Sequence, residues 1–213
     1  MPESVINGVR KVRRREVIDA YAKAGLILFH VPRTAGTSIS IALYGMPINH
    51  FSVREMIPLL PPTLSATPRF AIVRNPWDRA VSAWSYARNG GGVDGIGWVR
   101  SQHQYRVPAF RTFEHFIHDW LAPAQPEKID GIFQPQSDFL CDTDGQISLD
   151  HLGRFEDLKA TERWIGTHNP AAQPIPHLNA TKRAPYRELY SPASRDAVGR
   201  IYARDIALFG YDF

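Results

Sequence analysis

Two short stretches of this 213-residue chain hold residues whose types and spacing suit the binding of phosphate-like oxygens. The first is Pro32-Arg33-Thr34-Ala35-Gly36-Thr37-Ser38, set between the apolar run Gly25–Val31 and a helical stretch from Ile39 to Tyr44. Gly36 is expected to let the backbone turn tightly. Successive N–H groups and the helix N-terminus then face outward, where they bind anionic oxygens. Thr34, Thr37 and Ser38 add hydroxyl donors, and Arg33 adds a fixed charge with forked donors. Taken alone, the same residues also make an ordinary strand-to-helix turn with capping hydroxyls. The second stretch, FAIVRNPWDRAVS over residues 70–82, puts Arg74 at the end of a strand and Ser82 about two turns into the next helix. Ligands of open α/β sheets lie at the carboxyl ends of strands, so Arg74 should face the same crevice as the first loop and grip a second phosphate with Ser82. The local alternative is an Arg74–Asp78 pair that only braces the turn.

Strands alternating with helices must position these residues. Gly25–Val31 and Arg69–Val73 are short continuous apolar runs and read as buried strands. Asn75 reads as an N-cap with Pro76 at the first helical position, followed by Trp77, Val81 and Trp84 at i, i+4, i+7. Thr112 caps an apolar stripe of Phe113, Phe116, Ile117, Trp120 and Leu121. His151–Phe155 is a third strand, leading into a helix through Trp164, and Pro192 to Phe209 closes the chain at helical spacing. The pattern predicts an α/β layer fold with a mostly parallel sheet. At roughly 150 residues per domain the length gives a single domain over 25–213, preceded by a basic helix or arm over 1–24.

Composition narrows the function classes. The formal charge is +4, and residues 1–33 carry all of it, with seven Lys and Arg against three Asp and Glu; the remainder balances at 18 against 18. A protein that coats nucleic acid would spread its cations along a face, so no nucleic-acid partner is expected; a pocket for a small polyanion fits better. One cysteine excludes an internal disulfide framework and a multi-cysteine zinc site. No signal-peptide core and no membrane-length apolar run is visible, which gives a soluble, cytoplasmic expectation with no membrane partner.

Together the two stretches resemble the sulfotransferase family that uses 3′-phosphoadenosine 5′-phosphosulfate (PAPS), and most closely its carbohydrate-type branch, the heparan and chondroitin sulfate sulfotransferases. FHVPRTAGTSI is similar to that family's 5′-phosphosulfate loop and FAIVRNPWDRAVSAW to its 3′-phosphate motif, 41 residues apart and in the family's order. FQPQSDFL at 133–140, GRFEDL at 153–158, PHLNATKR at 176–183 and the ending IYARDIALFGYDF extend the likeness over roughly 25–213. The resemblance implies a P-loop-like central parallel sheet flanked by helices on both faces. It also implies sulfuryl transfer from PAPS to a hydroxyl, on a carbohydrate or other polar small molecule, leaving adenosine 3′,5′-bisphosphate. It assigns Arg33, Thr34, Ala35, Gly36, Thr37 and Ser38 to the phosphosulfate, and Arg74 and Ser82 to the 3′-phosphate. The late loop with Asn179, Thr181, Lys182 and Arg183 would close over the nucleotide. Where this chain has Arg33 the family usually has Lys, so a planar guanidinium replaces a compact ammonium.

An attacking hydroxyl must lose a proton, and histidine suits that role near neutral pH. The resemblance implies a catalytic His or Glu between the two motifs. His50, 24 residues before Arg74, is the candidate general base, with Glu55 as the alternative. The scheme requires no metal. His30 reads as structural, His115 and His118 as solvent-facing, and His177 as a candidate ligand contact in the late loop. Trp77, Trp84, Trp120 and Trp164 read as core, Trp98 as an acceptor-lining aromatic, and Cys141 as an inert thiol. The G-x-x-x-x-G-K-[ST] pattern is absent, which weakens a small-molecule kinase; a non-catalytic nucleotide-binding domain is the other alternative.

Overall fold

The computed structural model describes residues 3–91, 102–125, 128–176 and 185–213. Its helices are α1 (Glu3–Ala24), α2 (Gly36–Tyr44), α3 (Val53–Met56), α4 (Pro76–Arg88), α5 (Phe113–His115, continued by a π-helical turn over Phe116–Leu121), α6 (Ser137–Leu140), α7 (Leu158–His168), α8 (Pro192–Ile201) and α9 (Ala203–Phe209). The strands are β1 (Ile27–Phe29), β2 (Arg69–Val73) and β3 (His151–Arg154). This is a mixed α/β protein with a small parallel sheet flanked by helices. Two compact units divide the chain: Met1–Val31, Ala35–Val73 and Asp138–Pro176 form one, and Pro32–Thr34, Arg74–Ser137 and His177–Phe213 form the other.

The first unit holds the sheet, in the order β1-β2-β3 with both pairings parallel. Leu28 lies opposite Phe70 and Ala71 opposite Leu152, so β2 is central, and its Phe70, Ala71, Ile72 and Val73 are fully buried. A strand buried on both faces needs a continuous apolar run, which is what 70–73 supplies. The outward backbone groups of β1 are met by two phenols. Tyr21 of α1 donates to the Leu28 carbonyl at 2.7 Å, and Tyr44 of α2 accepts from the Leu28 amide and donates to the Leu26 carbonyl, both at 3.1 Å. Burial pushes both hydroxyls well above their ordinary pKa, which keeps them donors. The helix α1 thus reaches the sheet through Tyr21, one turn after the equally buried Val17.

The second unit is a helical core. Trp77 and Val81 of α4, Phe113 and Phe116 at the α5 turn, and Val198 of α8 bury together. Thr112 caps α5 by accepting from the His115 amide, as its sequence position predicts. The closing helix is in fact two, α8 and α9. Tyr202 leaves helical backbone values (φ −107°, ψ 27°) while its hydroxyl donates to the Phe133 carbonyl at 2.7 Å.

Candidate active site

The loop after β1 takes a conformation that its glycine does not explain. The left-handed residues are Arg33 (φ 70°) and Ala35 (φ 67°), each a costly position for a side chain with a Cβ, whereas Gly36 is not among them. Helix α2 begins at Gly36, a turn earlier than the residue pattern suggests, because the Ala35 carbonyl already accepts from the Ile39 amide at 3.1 Å. The amides of Gly36, Thr37 and Ser38 therefore form the first turn of α2, whose N–H groups have no partner within the helix. Gly36 is needed for another reason. A Cβ there would lie 1.9 Å from His30 Cδ2 and 2.4 Å from His30 Nε2. The buried His30 ring lies against Gly36 and is held by its Nδ1–H, which donates to the Ile48 carbonyl at 3.3 Å. Gly36→Ala is accordingly expected to destabilise the chain by about 1–3 kcal/mol through overpacking. Thermal denaturation reads this, and an unshifted midpoint would show that the ring yields at no cost.

In the same unit, the segment after α2 doubles back on His30. His50 Nδ1 lies 3.0 Å from the His30 carbonyl oxygen, and the two rings are 4.0 Å apart and tilted by 51°. A carbonyl can only accept, so His50 Nδ1 carries the hydrogen and the neutral ring keeps its lone pair on Nε2. The side chain is exposed. Glu55 is placed differently. It is the N3 residue of a capping box: its Oε2 accepts from the Ser52 amide at 3.0 Å and the Ser52 hydroxyl at 3.2 Å, and its Oε1 lies 3.5 Å from Arg14 Nη2.

The second unit brings the cationic residues of both motifs together. Arg33 donates to the Ser82 hydroxyl from Nε and from Nη2, each at 3.1 Å. Its guanidinium carbon stands 4.2 Å over the centre of the Tyr86 ring. Arg74 follows β2 directly, is buried, and donates from Nη1 to the Arg33 carbonyl at 3.0 Å. Its Nε also meets Asp78 Oδ2 at 2.7 Å, so the bracing pair and the bridge to the first motif coexist in one guanidinium. Asn75 caps α4 by accepting from the Trp77 amide, which sets Ser82 on the turn that Arg33 reaches. Thr34 and Ser38 are buried and Thr37 is half-buried.

Residue types alone missed three positions that hold this cluster. Arg79, 2% exposed, donates from Nε to the Pro32 carbonyl at 3.0 Å. Gln136 reads the Arg74 backbone twice, accepting from its amide at 2.9 Å and donating to its carbonyl at 2.8 Å. Asp205 accepts from the Gln136 and Ser137 amides at 2.6 and 2.9 Å. Gln136 and Asp205 lie in the FQPQSDFL and IYARDIALFGYDF segments, so a signal was present without a role attached. Elsewhere, His118 pairs with Glu114 and His115 with Thr112, both histidines being exposed. Trp77 is buried, and Trp84, Trp120 and Trp164 are half-buried. Cys141 is buried. Trp98, His177, Asn179, Thr181, Lys182 and Arg183 lie outside the described residues.

A small parallel sheet whose strands β1 and β2 lead into turns bearing Arg33 and Arg74 defines a mixed α/β protein. Residues 20–212 match the sulfotransferase family, and the chain belongs to it. Membership makes it a transferase of sulfuryl groups. No curated protein and no solved structure matches it. Among the described residues no helix is long and apolar enough to cross a membrane.

Proposed function

We propose that this chain transfers a sulfuryl group from PAPS to a hydroxyl on a carbohydrate or other polar small molecule. The observation that carries the reading is the hydrogen-bonded cluster of Arg33, Arg74 and Ser82, which unites three of the residues that two separate motifs nominate. Each motif supplies a guanidinium, Arg74 also pairing with Asp78, and Ser82 adds a hydroxyl; this donor set suits anionic oxygens. PAPS, when bound, supplies a sulfuryl group already activated on a phosphate. The chain's own residues then bind, orient and take up a proton. Arg33 and the amides of 34–38 stabilise charge that develops on the departing phosphate oxygen. Arg74 and Ser82 anchor the 3′-phosphate, and the late loop with Asn179, Thr181, Lys182 and Arg183 covers the nucleotide. His50 accepts the acceptor's hydroxyl proton on Nε2, with its ring oriented by the bond from Nδ1 to the His30 carbonyl. Both Glu55 oxygens are engaged, which favours His50 over Glu55 as the base.

The test is a titration with adenosine 3′,5′-bisphosphate, followed by a screen of hydroxylated acceptors with labelled PAPS. Arg74→Ala should weaken bisphosphate binding by about tenfold or more, the loss expected when a charge-assisted contact of roughly 1.5–3 kcal/mol is removed. Preference for ATP–Mg²⁺ over the bisphosphate would sink the PAPS reading in favour of a kinase. Bisphosphate binding with no turnover on any acceptor would favour a non-catalytic domain.

A further inference from the structure

We propose that Tyr86 is a positioning residue for Arg33: its ring is the seat over which the loop's guanidinium is held and aimed at Ser82. The inference rests on the functional reading above only for what Arg33 then does. Ser82 and Tyr86 are four residues apart on α4, so a hydroxyl and an aromatic face lie on one side of the helix, one turn apart. Arg33 uses both. Nε and Nη2 converge on the Ser82 hydroxyl at 3.1 Å each, while the guanidinium carbon lies 4.2 Å above the ring centre. That distance is well inside the ~6 Å reach of a cation–π contact. The backbone beneath is fixed separately, because Arg79 holds the Pro32 carbonyl and Arg74 the Arg33 carbonyl, with Arg33 kept at φ 70°.

Each half of this arrangement needs the other. A long side chain has several rotatable bonds, and leaving it mobile would give up the orientation that a binding cation must have. A planar guanidinium can lie on a ring and donate from its edge at the same time. An ammonium can meet the ring or the hydroxyl but has no planar edge and face to engage both at once, so lysine at position 33 should keep only part of what Tyr86 supplies. Burial pushes the Tyr86 phenol above its ordinary pKa and the Arg33 charge opposes this, consistent with a neutral ring facing a cation. Tyr86 should therefore matter through its face and hardly at all through its hydroxyl.

The experiment is a double-mutant cycle on the full chain, with Y86L, R33K and the pair, read in two ways. The first reading is affinity for adenosine 3′,5′-bisphosphate. Y86L is expected to weaken it about fivefold when Arg33 is present and by less than about twofold in the R33K background, and Y86F should recover the parent value. The second reading is the melting midpoint without any ligand. A coupling of about 2–4 °C between positions 33 and 86 is expected, beyond whatever Y86L loses in packing alone. Equal effects of Y86L in the parent and R33K backgrounds, in both readings, would reduce Tyr86 to a packing residue and overturn the proposal. So would failure of Y86F to recover. If the unmodified chain does not bind the bisphosphate, the functional reading falls, and the ligand-free melting cycle still decides for or against the seat.

Discussion

His50→Ala is expected to lower turnover by about two to four decades while leaving bisphosphate affinity nearly intact, the range for loss of a general base. Two features give this its basis. The bond from His50 Nδ1 to the His30 carbonyl, at 3.0 Å, fixes the tautomer that keeps the lone pair on Nε2. The second bond, from His30 Nδ1 to the Ile48 carbonyl, ties the same segment back to the strand end, so the ring is oriented by backbone and not by a mobile partner. A base that acts only in proton transfer should touch kcat and not nucleotide binding. Added imidazole should restore part of the rate in the alanine variant, since it replaces the missing acceptor without the rest of the side chain. Glu55→Gln provides the contrast. Its carboxyl oxygens serve Ser52 and Arg14 at an exposed cap where glutamine can fill the same N3 position, so the change should cost little stability and little turnover. Turnover unchanged in His50→Ala, or lost in Glu55→Gln with the fold intact, would move the base elsewhere.

Asp205→Ala carries the largest expected loss of stability, about 3–5 kcal/mol, or roughly 10 °C in the melting midpoint of a chain this size. The side chain is fully buried, and both carboxyl oxygens accept from backbone N–H groups, those of Gln136 and Ser137. Removing it strands two buried donors and leaves a void. Asp205→Asn should be little better, because one oxygen becomes an NH₂ that points at a backbone N–H. Recovery of the parent melting midpoint in Asp205→Asn would refute the two-acceptor assignment. The consequence for function runs through Gln136, whose amide spans the N–H and C=O of Arg74. Gln136→Ala leaves the Asp205 contact to the backbone in place but releases Arg74. It should therefore weaken bisphosphate binding with a smaller loss of stability than Asp205→Ala.

Much of this was legible in the residues because it depends on near neighbours. The strand over 69–73 follows from a continuous apolar run, and the α4 start from Asn75 and Pro76 within two residues of each other. The order and spacing of two cation-bearing turns were equally visible, as was a histidine between them. The glycine's role was not legible. A tight turn is expected at it, and the turn forms, but Arg33 and Ala35 take its left-handed positions, and Gly36 is small because the His30 ring lies on it. A backbone requirement and a packing requirement leave the same letter in a sequence, and only the neighbour tells them apart.

The sequence by itself determined the strand-turn-helix units, whose signals lie within a few residues, and carried the ordered motifs that mark the family and its cations. The tertiary structure alone decided which groups those cations meet. Arg33 reaches Ser82 and Tyr86 across about fifty residues, Arg79 takes the Pro32 carbonyl across 47, and Asp205 supports Gln136 across 69. Nothing in local periodicity encodes such partners. They arise because buried donors and acceptors must be satisfied wherever packing happens to bring them, and that is settled only when the elements have met.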